Sequence, residues 1–184
     1  MKSVCVFLGS SSGHRPEFAS ATRELGTELA DRGLHVVYGG GDVGLMGLLA
    51  DAVLEAGGRV TGVIPGFLAD REVAHTGLTT LHVVNSMHER KAKMAALSDA
   101  FITLPGGLGT LEEFFEVLTW AQLGLHTKPC GLLDIAGYWT PMRDLLEKMA
   151  TEGFLGTSNQ VALEIESTVP ALLSRLGILP SADD

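Results

Sequence analysis

The sequence predicts an α/β fold, a doubly wound parallel sheet with helices on both faces. Two observations lead there. Short apolar runs alternate with longer segments of helical period along almost the whole chain, which is the signature of repeated βαβ units. Glycine-rich turns follow three of those runs, at Gly9–Gly13, Gly39–Gly44 and Pro105–Gly109. In an open parallel sheet such turns lie beyond the carboxyl ends of the strands, where ligands bind.

The elements follow in order. Val4–Leu8 is continuously apolar, as a strand covered on both faces should be. Pro16–Arg32 reads as a helix with proline at its first position. His35–Tyr38 is the second strand and Leu45–Ala56 the second helix. Arg59–Ile64 and Thr80–Val84 are β-branched and strand-like. Met87–Leu97 is a helix behind Ser86 and Glu89, a capping box. Ala100–Leu104 is the fifth strand, Thr110–Leu123 the helix behind it, Pro129–Leu133 the sixth strand and Tyr138–Glu152 a further helix. Ser167–Leu176 is a terminal helix, and the acidic tail after Pro180 is expected to fray. With no internal repeat, linker or low-complexity tract, residues 1–184 read as one domain.

Composition narrows the function. Apolar residues make up 46% of the chain and the net charge is −9. So acidic a surface argues against a nucleic-acid or anionic-membrane partner, and any phosphate must be held by local groups. Cys5 and Cys130 both sit in apolar runs and read as core thiols. Val4–Leu8 is too short for a signal-peptide core, and no stretch reaches the ~20 apolar residues of a membrane span. A cytoplasmic protein is expected.

The run Leu104-Pro105-Gly106-Gly107-Leu108-Gly109-Thr110-Leu111-Glu112-Glu113 is the most informative segment. Its glycines let the backbone approach a ligand closely. The first amides of the helix behind them attract anions. Glu113 sits about one turn inside that helix. Thr110 and Glu113 also fit a capping box, in which Glu113 would bond back to the Thr110 amide, so an anion cradle and a simple cap are both open. Behind them Phe114, Phe115, Val117, Leu118, Trp120, Ala121 and Leu123 make the helix apolar nearly all round, while Glu113, Glu116, Thr119 and Gln122 draw one polar ridge. Such a helix is expected to be covered by the sheet and by a second subunit.

Gly39–Gly44 fits G-x-G-x-x-G, but no acid stands at the tip of the next strand, Val63-Ile64-Pro65-Gly66, as a dinucleotide site requires. A mononucleotide or sugar phosphate fits better. The Walker pattern is absent, and the six histidines show no zinc spacing. Arg90 and Lys91 lie near a helix N-terminus, where the dipole disfavours cations, and this points to a bound anion or an acidic partner. A pyridoxal phosphate lysine at Lys91 lacks any residue marking a pyridinium partner.

Together these residues resemble a known family. Pro105–Glu113 fits the PGGxGTxxE signature of the Lonely Guy family, the cytokinin-activating phosphoribohydrolases, whose members are often labelled lysine decarboxylases. Tyr38–Gly41 with Gly44–Gly47, Met87–Ala92, Trp120–Gly124 and Lys128-Pro129 are similar to further family motifs. The resemblance implies a Rossmann-like fold, a homodimer and cleavage of the N-glycosidic bond of nucleoside 5′-monophosphates. It implies Arg90 and Glu113 as the catalytic pair. It gives a substrate-binding set of Gly106, Gly107, Leu108, Gly109, Thr110, Leu111 and Glu112, joined by Gly40, Gly41, Glu72, Lys91 and Thr119. It calls for no metal and no cofactor. The alternative is a nucleotide or molybdenum-cofactor carrier on the same fold.

Overall fold

A computed structural model describes residues 1–69, 73–155 and 163–179. The chain builds one seven-stranded parallel sheet of β1 (Ser3–Phe7), β2 (His35–Tyr38), β3 (Arg59–Pro65), β4 (Thr80–Val84), β5 (Ala100–Thr103), β6 (Cys130–Leu133) and β7 (Leu163–Glu166). Their spatial order is β4-β3-β2-β1-β5-β6-β7. The helices are α1 (Pro16–Asp31), α2 (Gly44–Glu55), the single turn α3 (Gly66–Ala69), α4 (Met87–Ala96), α5 (Leu108–Gln122), α6 (Thr140–Thr151) and α7 (Val169–Arg175). The doubly wound α/β class is the predicted one.

Alternation along β1 sorts the core. Val4 and Val6 pack with Leu25 and Leu29 of α1, Leu49 and Val53 of α2, and Leu172 of α7. Cys5 and Phe7 face the other way, towards Met94 of α4 and Val117 of α5. This period of two is what a strand covered on both faces must show. Both thiols are free and buried as expected, and burial pushes Cys130 up to about 12.

β1 pairs with β2 through Val4 and Val36 and with β5 through Phe7 and Thr103. The chain first winds outward through β2, β3 and β4, and then crosses behind β1 to β5. That reversal opens a crevice at the carboxyl ends of β1 and β5, flanked by all three glycine turns.

Several element ends shift by a residue or two, and two helix starts and one strand depart from the sequence reading for an identifiable reason. α5 starts at Leu108 with Gly107 as its N-cap, so Thr110 does not cap it and the Thr110–Glu113 capping box is not the arrangement formed. A 3₁₀ turn, Ile135–Gly137, precedes α6, which therefore begins later than Tyr138. β7 was not anticipated. Its four half-buried residues, Leu-Glu-Ile-Glu, carry too few apolar side chains to announce a strand, and pairing with β6 is what forms it. Among the described residues no helix is long and apolar enough to cross a membrane.

Candidate active site at the sheet crevice

α5 aims its N-terminus at the crevice. The amides of Gly107, Leu108, Gly109 and Thr110 are the four that an α-helix leaves without internal partners. The N-cap residue is a glycine and so brings no capping side chain of its own. These residues line a cavity of about 240 Å³, which Ser10, Gly39, Met87, Arg90 and Glu113 also line. An anion-binding helix end, a carboxylate and a guanidinium therefore share one wall. Thr110 is buried with its side chain against Gly106, whose missing Cβ would otherwise overlap Thr110 Oγ1 and lie 2.9 Å from the Gly9 amide nitrogen. The glycine at 106 is thus required for close approach of two turns.

Arg90 is 4% exposed, and its charge is held by the backbone. Nε donates to the Val63 carbonyl at 3.0 Å and Nη2 to the Gly39 carbonyl at 2.8 Å. These carbonyls belong to neighbouring strands, one in β3 and one just after β2, so strand pairing fixes the guanidinium. Half of the predicted capping box forms at the start of α4: Ser86 Oγ accepts from the Glu89 amide at 3.1 Å, while the Glu89 carboxylate accepts from the Asn85 amide at 2.9 Å, one residue before the cap. Beneath the cavity, burial and then the negative charge of Glu113 push the Cys5 thiol well above its ordinary range, while Arg90 opposes this. Both charged groups therefore act on one point of β1.

Lys91 points elsewhere. It is buried, and its Nζ pairs with Glu112 Oε1 and, at 3.2 Å, with Glu116 Oε2. Burial works against the charge of Lys91, but the bonds to Glu112 and Glu116 outweigh it and raise the pKa. The acidic partner expected for a cation near this helix start is supplied by α5. Of the predicted binding residues, Gly107, Leu108, Gly109 and Thr110 meet at the cavity with Arg90 and Glu113. Lys91 and Glu112 form the adjoining ion cluster, and the exposed Thr119 lies further along α5. Leu111 packs into the core beside Phe114 and Leu132. Gly40 and Gly41 are buried behind Gly39, where Gly41 accepts from the Tyr38 hydroxyl at 3.1 Å. Glu72 lies outside the described residues.

The sequence marks the first glycine turn and the Met87 motif but gives no reason to assign Ser10 or Met87 to the site. Both line the cavity. Tyr138 was missed altogether, because only folding carries it to the glycine turn. Its hydroxyl donates to the Gly106 carbonyl at 2.5 Å, and its ring stands edge-on to Phe18. Gly106 and Tyr138 line a second cavity of about 200 Å³ that shares Ser10 and Gly107 with the first. Tyr138→Phe removes this bond and is expected to raise the KM for a nucleotide about threefold to tenfold, near the ~1 kcal/mol of one hydrogen bond, with kcat retained. Steady-state kinetics check it.

Residues 46–176 match the family model described as possible lysine decarboxylase. A cytokinin riboside 5′-monophosphate phosphoribohydrolase of Rhodococcoides fascians is 51% identical over 178 residues, covering 94% of this chain and 90% of that one. The chain belongs to the Lonely Guy family. An Arabidopsis thaliana cytokinin riboside 5′-monophosphate phosphoribohydrolase of the same family is 46% identical, covering 95% of this chain and 82% of its own. The molybdenum cofactor carrier protein of Chlamydomonas reinhardtii superposes with a TM-score of 0.72 over 96% of each chain. It is 19% identical, a likeness of fold alone. Two of the family motifs meet at the crevice, the PGGxGT turn at the start of α5 and the arginine motif of α4, whose Arg90 reaches the backbone of β3 and of the turn after β2.

Proposed function

We propose that the chain hydrolyses the N-glycosidic bond of adenosine 5′-monophosphate and its N6-modified forms, releasing the free base, a cytokinin or adenine, and ribose 5-phosphate. The observation that carries this reading is that Arg90 and Glu113 share a cavity with Gly107–Thr110, whose amides have no partner within the helix. The family relatives, named for this reaction on cytokinin riboside 5′-monophosphates, support it.

The phosphate binds at the α5 N-terminus, remote from the bond that breaks, and its binding energy orients the ribose. As the C1′–N bond lengthens, positive charge develops on the sugar in an oxocarbenium-like transition state. The Glu113 carboxylate stabilises that charge and orients water. Water oxygen bonds to C1′, the electron pair of the broken bond leaves with the base, and a proton from water returns to it. Arg90 does not lose its proton near neutrality, so it supplies fixed positive charge rather than an acid. Those charges orient the carboxylate and the departing base. A carrier needs neither group, which is why the enzyme is the better reading.

A homodimer belongs to the same proposal. Phe115, Leu118, Trp120 and Ala121 on α5 remain half-buried, and Leu123 and Leu125 after it are 69% exposed, an apolar strip that a second copy would cover. A cytoplasmic setting suits two buried free thiols.

Incubation with adenosine monophosphate and with its N6-prenylated analogue, followed by chromatography, tests the reading. Free base and ribose 5-phosphate are expected from at least one of them. Binding of both without base release would establish a carrier instead. Thr110→Val is expected to weaken binding of the monophosphate about tenfold or more, as loss of a hydrogen bond to a charged group implies, and to leave the unphosphorylated nucleoside unaffected. Equal weakening of both, by calorimetry, would move the phosphate elsewhere.

A further inference from the structure

A histidine remote from the cavity wall is tied to the same machinery. His75 is buried, with Nε2 3.1 Å from Asp51 Oδ1 on α2 and 3.7 Å from Asp42 Oδ1. The Gly77 amide donates to its Nδ1 at 3.0 Å, so Nδ1 is the acceptor and Nε2 carries the proton given to Asp51. The imidazole therefore fastens the segment around residue 75 to α2. That segment in turn pairs with the second glycine turn as an antiparallel bridge between Gly41 and Ala74. The His75 amide donates to the Gly40 carbonyl at 3.0 Å, and the Asp42 amide donates to the Val73 carbonyl at 2.8 Å. The next residue back, Gly39, presents the carbonyl that holds Arg90 Nη2 at 2.8 Å.

We infer that the His75–Asp51 pair is a positioning device for Arg90, acting through the backbone of Gly39–Asp42. The inference rests on the reading of Arg90 as a catalytic group. A loop of three consecutive glycines has no side chains with which to fix itself, and Gly40 sits at φ +83, so neighbours must hold it. The sheet supplies one side through the strands. His75 and Asp51 supply the other. Asp51 is half exposed and Asp42 lies on the loop itself, so the clamp couples the outer surface of α2 to a buried guanidinium.

The test uses the full chain as His75→Ala, Asp51→Ala and Asp51→Asn. Turnover is read as free adenine from adenosine monophosphate, and the exchange of Arg90 Nε–H with solvent is followed by NMR. Both alanine variants are expected to lose about tenfold to a hundredfold in kcat, the cost of a small misplacement, with KM within about twofold. Arg90 Nε–H should exchange faster in both. Asp51→Asn keeps an acceptor oxygen and should restore both readouts to near the parent. Unchanged Arg90 exchange in the two alanine variants overturns the inference. So does faster exchange with undiminished kcat when Arg90→Ala is itself inactive. If Arg90→Ala keeps full turnover, the catalytic reading of Arg90 fails, and the exchange rates alone decide the clamp: acceleration supports it and no change sinks it.

Discussion

Glu113→Gln is expected to lower kcat by about a thousandfold, comparable with losing a principal electrostatic group in other active sites, while nucleotide affinity stays within about threefold. The amide has the shape of the carboxylate and keeps an acceptor oxygen, so packing at the cavity wall is preserved. What disappears is the negative charge facing a sugar that becomes positive only as the bond breaks. An interaction that exists mainly in the transition state shows in kcat and hardly in binding. The geometry supports the assignment: Glu113 lines the cavity with Arg90 and with the helix end proposed to hold the phosphate. Its charge is felt as deep as the Cys5 thiol. Single-turnover assays with calorimetry on the same preparation measure both quantities. A variant with parental kcat would remove Glu113 from the chemistry.

Gly39→Ala is expected to cost about a hundredfold in turnover, the penalty of displacing Arg90, the proposed catalytic guanidinium, by roughly an ångström. A Cβ at this position would overlap Arg90 Nη2 and lie 2.9 Å from Met46 Cε. The guanidinium has no cheap retreat, because Nε is already committed to the Val63 carbonyl. Either it gives up the Gly39 carbonyl, or the glycine turn shifts. Overpacking of this kind also costs about 1–3 kcal/mol of stability, which thermal unfolding would register beside the kinetics. An alanine variant with parental kcat would show that the approach of Gly39 to Arg90 is dispensable.

Much of the molecule was legible in the order of its residues. Continuous apolar runs such as Val4–Leu8 and Ala100–Leu104 declared strands covered on both faces, and the helical segments between them dictated parallel crossovers. The PGGxGTxxE run and the arginine motif could be read directly, because each needs its own residues at fixed local spacing. β7 could not, since a Leu-Glu-Ile-Glu segment becomes a strand only by pairing with β6. Nor could the start of α5. A capping box is a local pattern, but here the turn begins the helix at Leu108, before Thr110 can serve as its cap.

The roles of the two adjacent cations divide in the same way. The sequence marked Arg90 and Lys91 alike, as charges at the wrong end of a helix dipole. Successive helical residues point about 100° apart, so one side chain reaches the tips of β2 and β3 and the other reaches Glu112 and Glu116 on α5. Tyr138 and His75 gave no signal at all, because each acts on a turn far away in the chain. The sequence by itself determined the fold class, the glycine turn before α5 and the family. Only the tertiary structure decided which charges face the cavity and what holds them there. Local spacing encodes a helix end, whereas the place of a buried guanidinium depends on carbonyls that separate strands bring together.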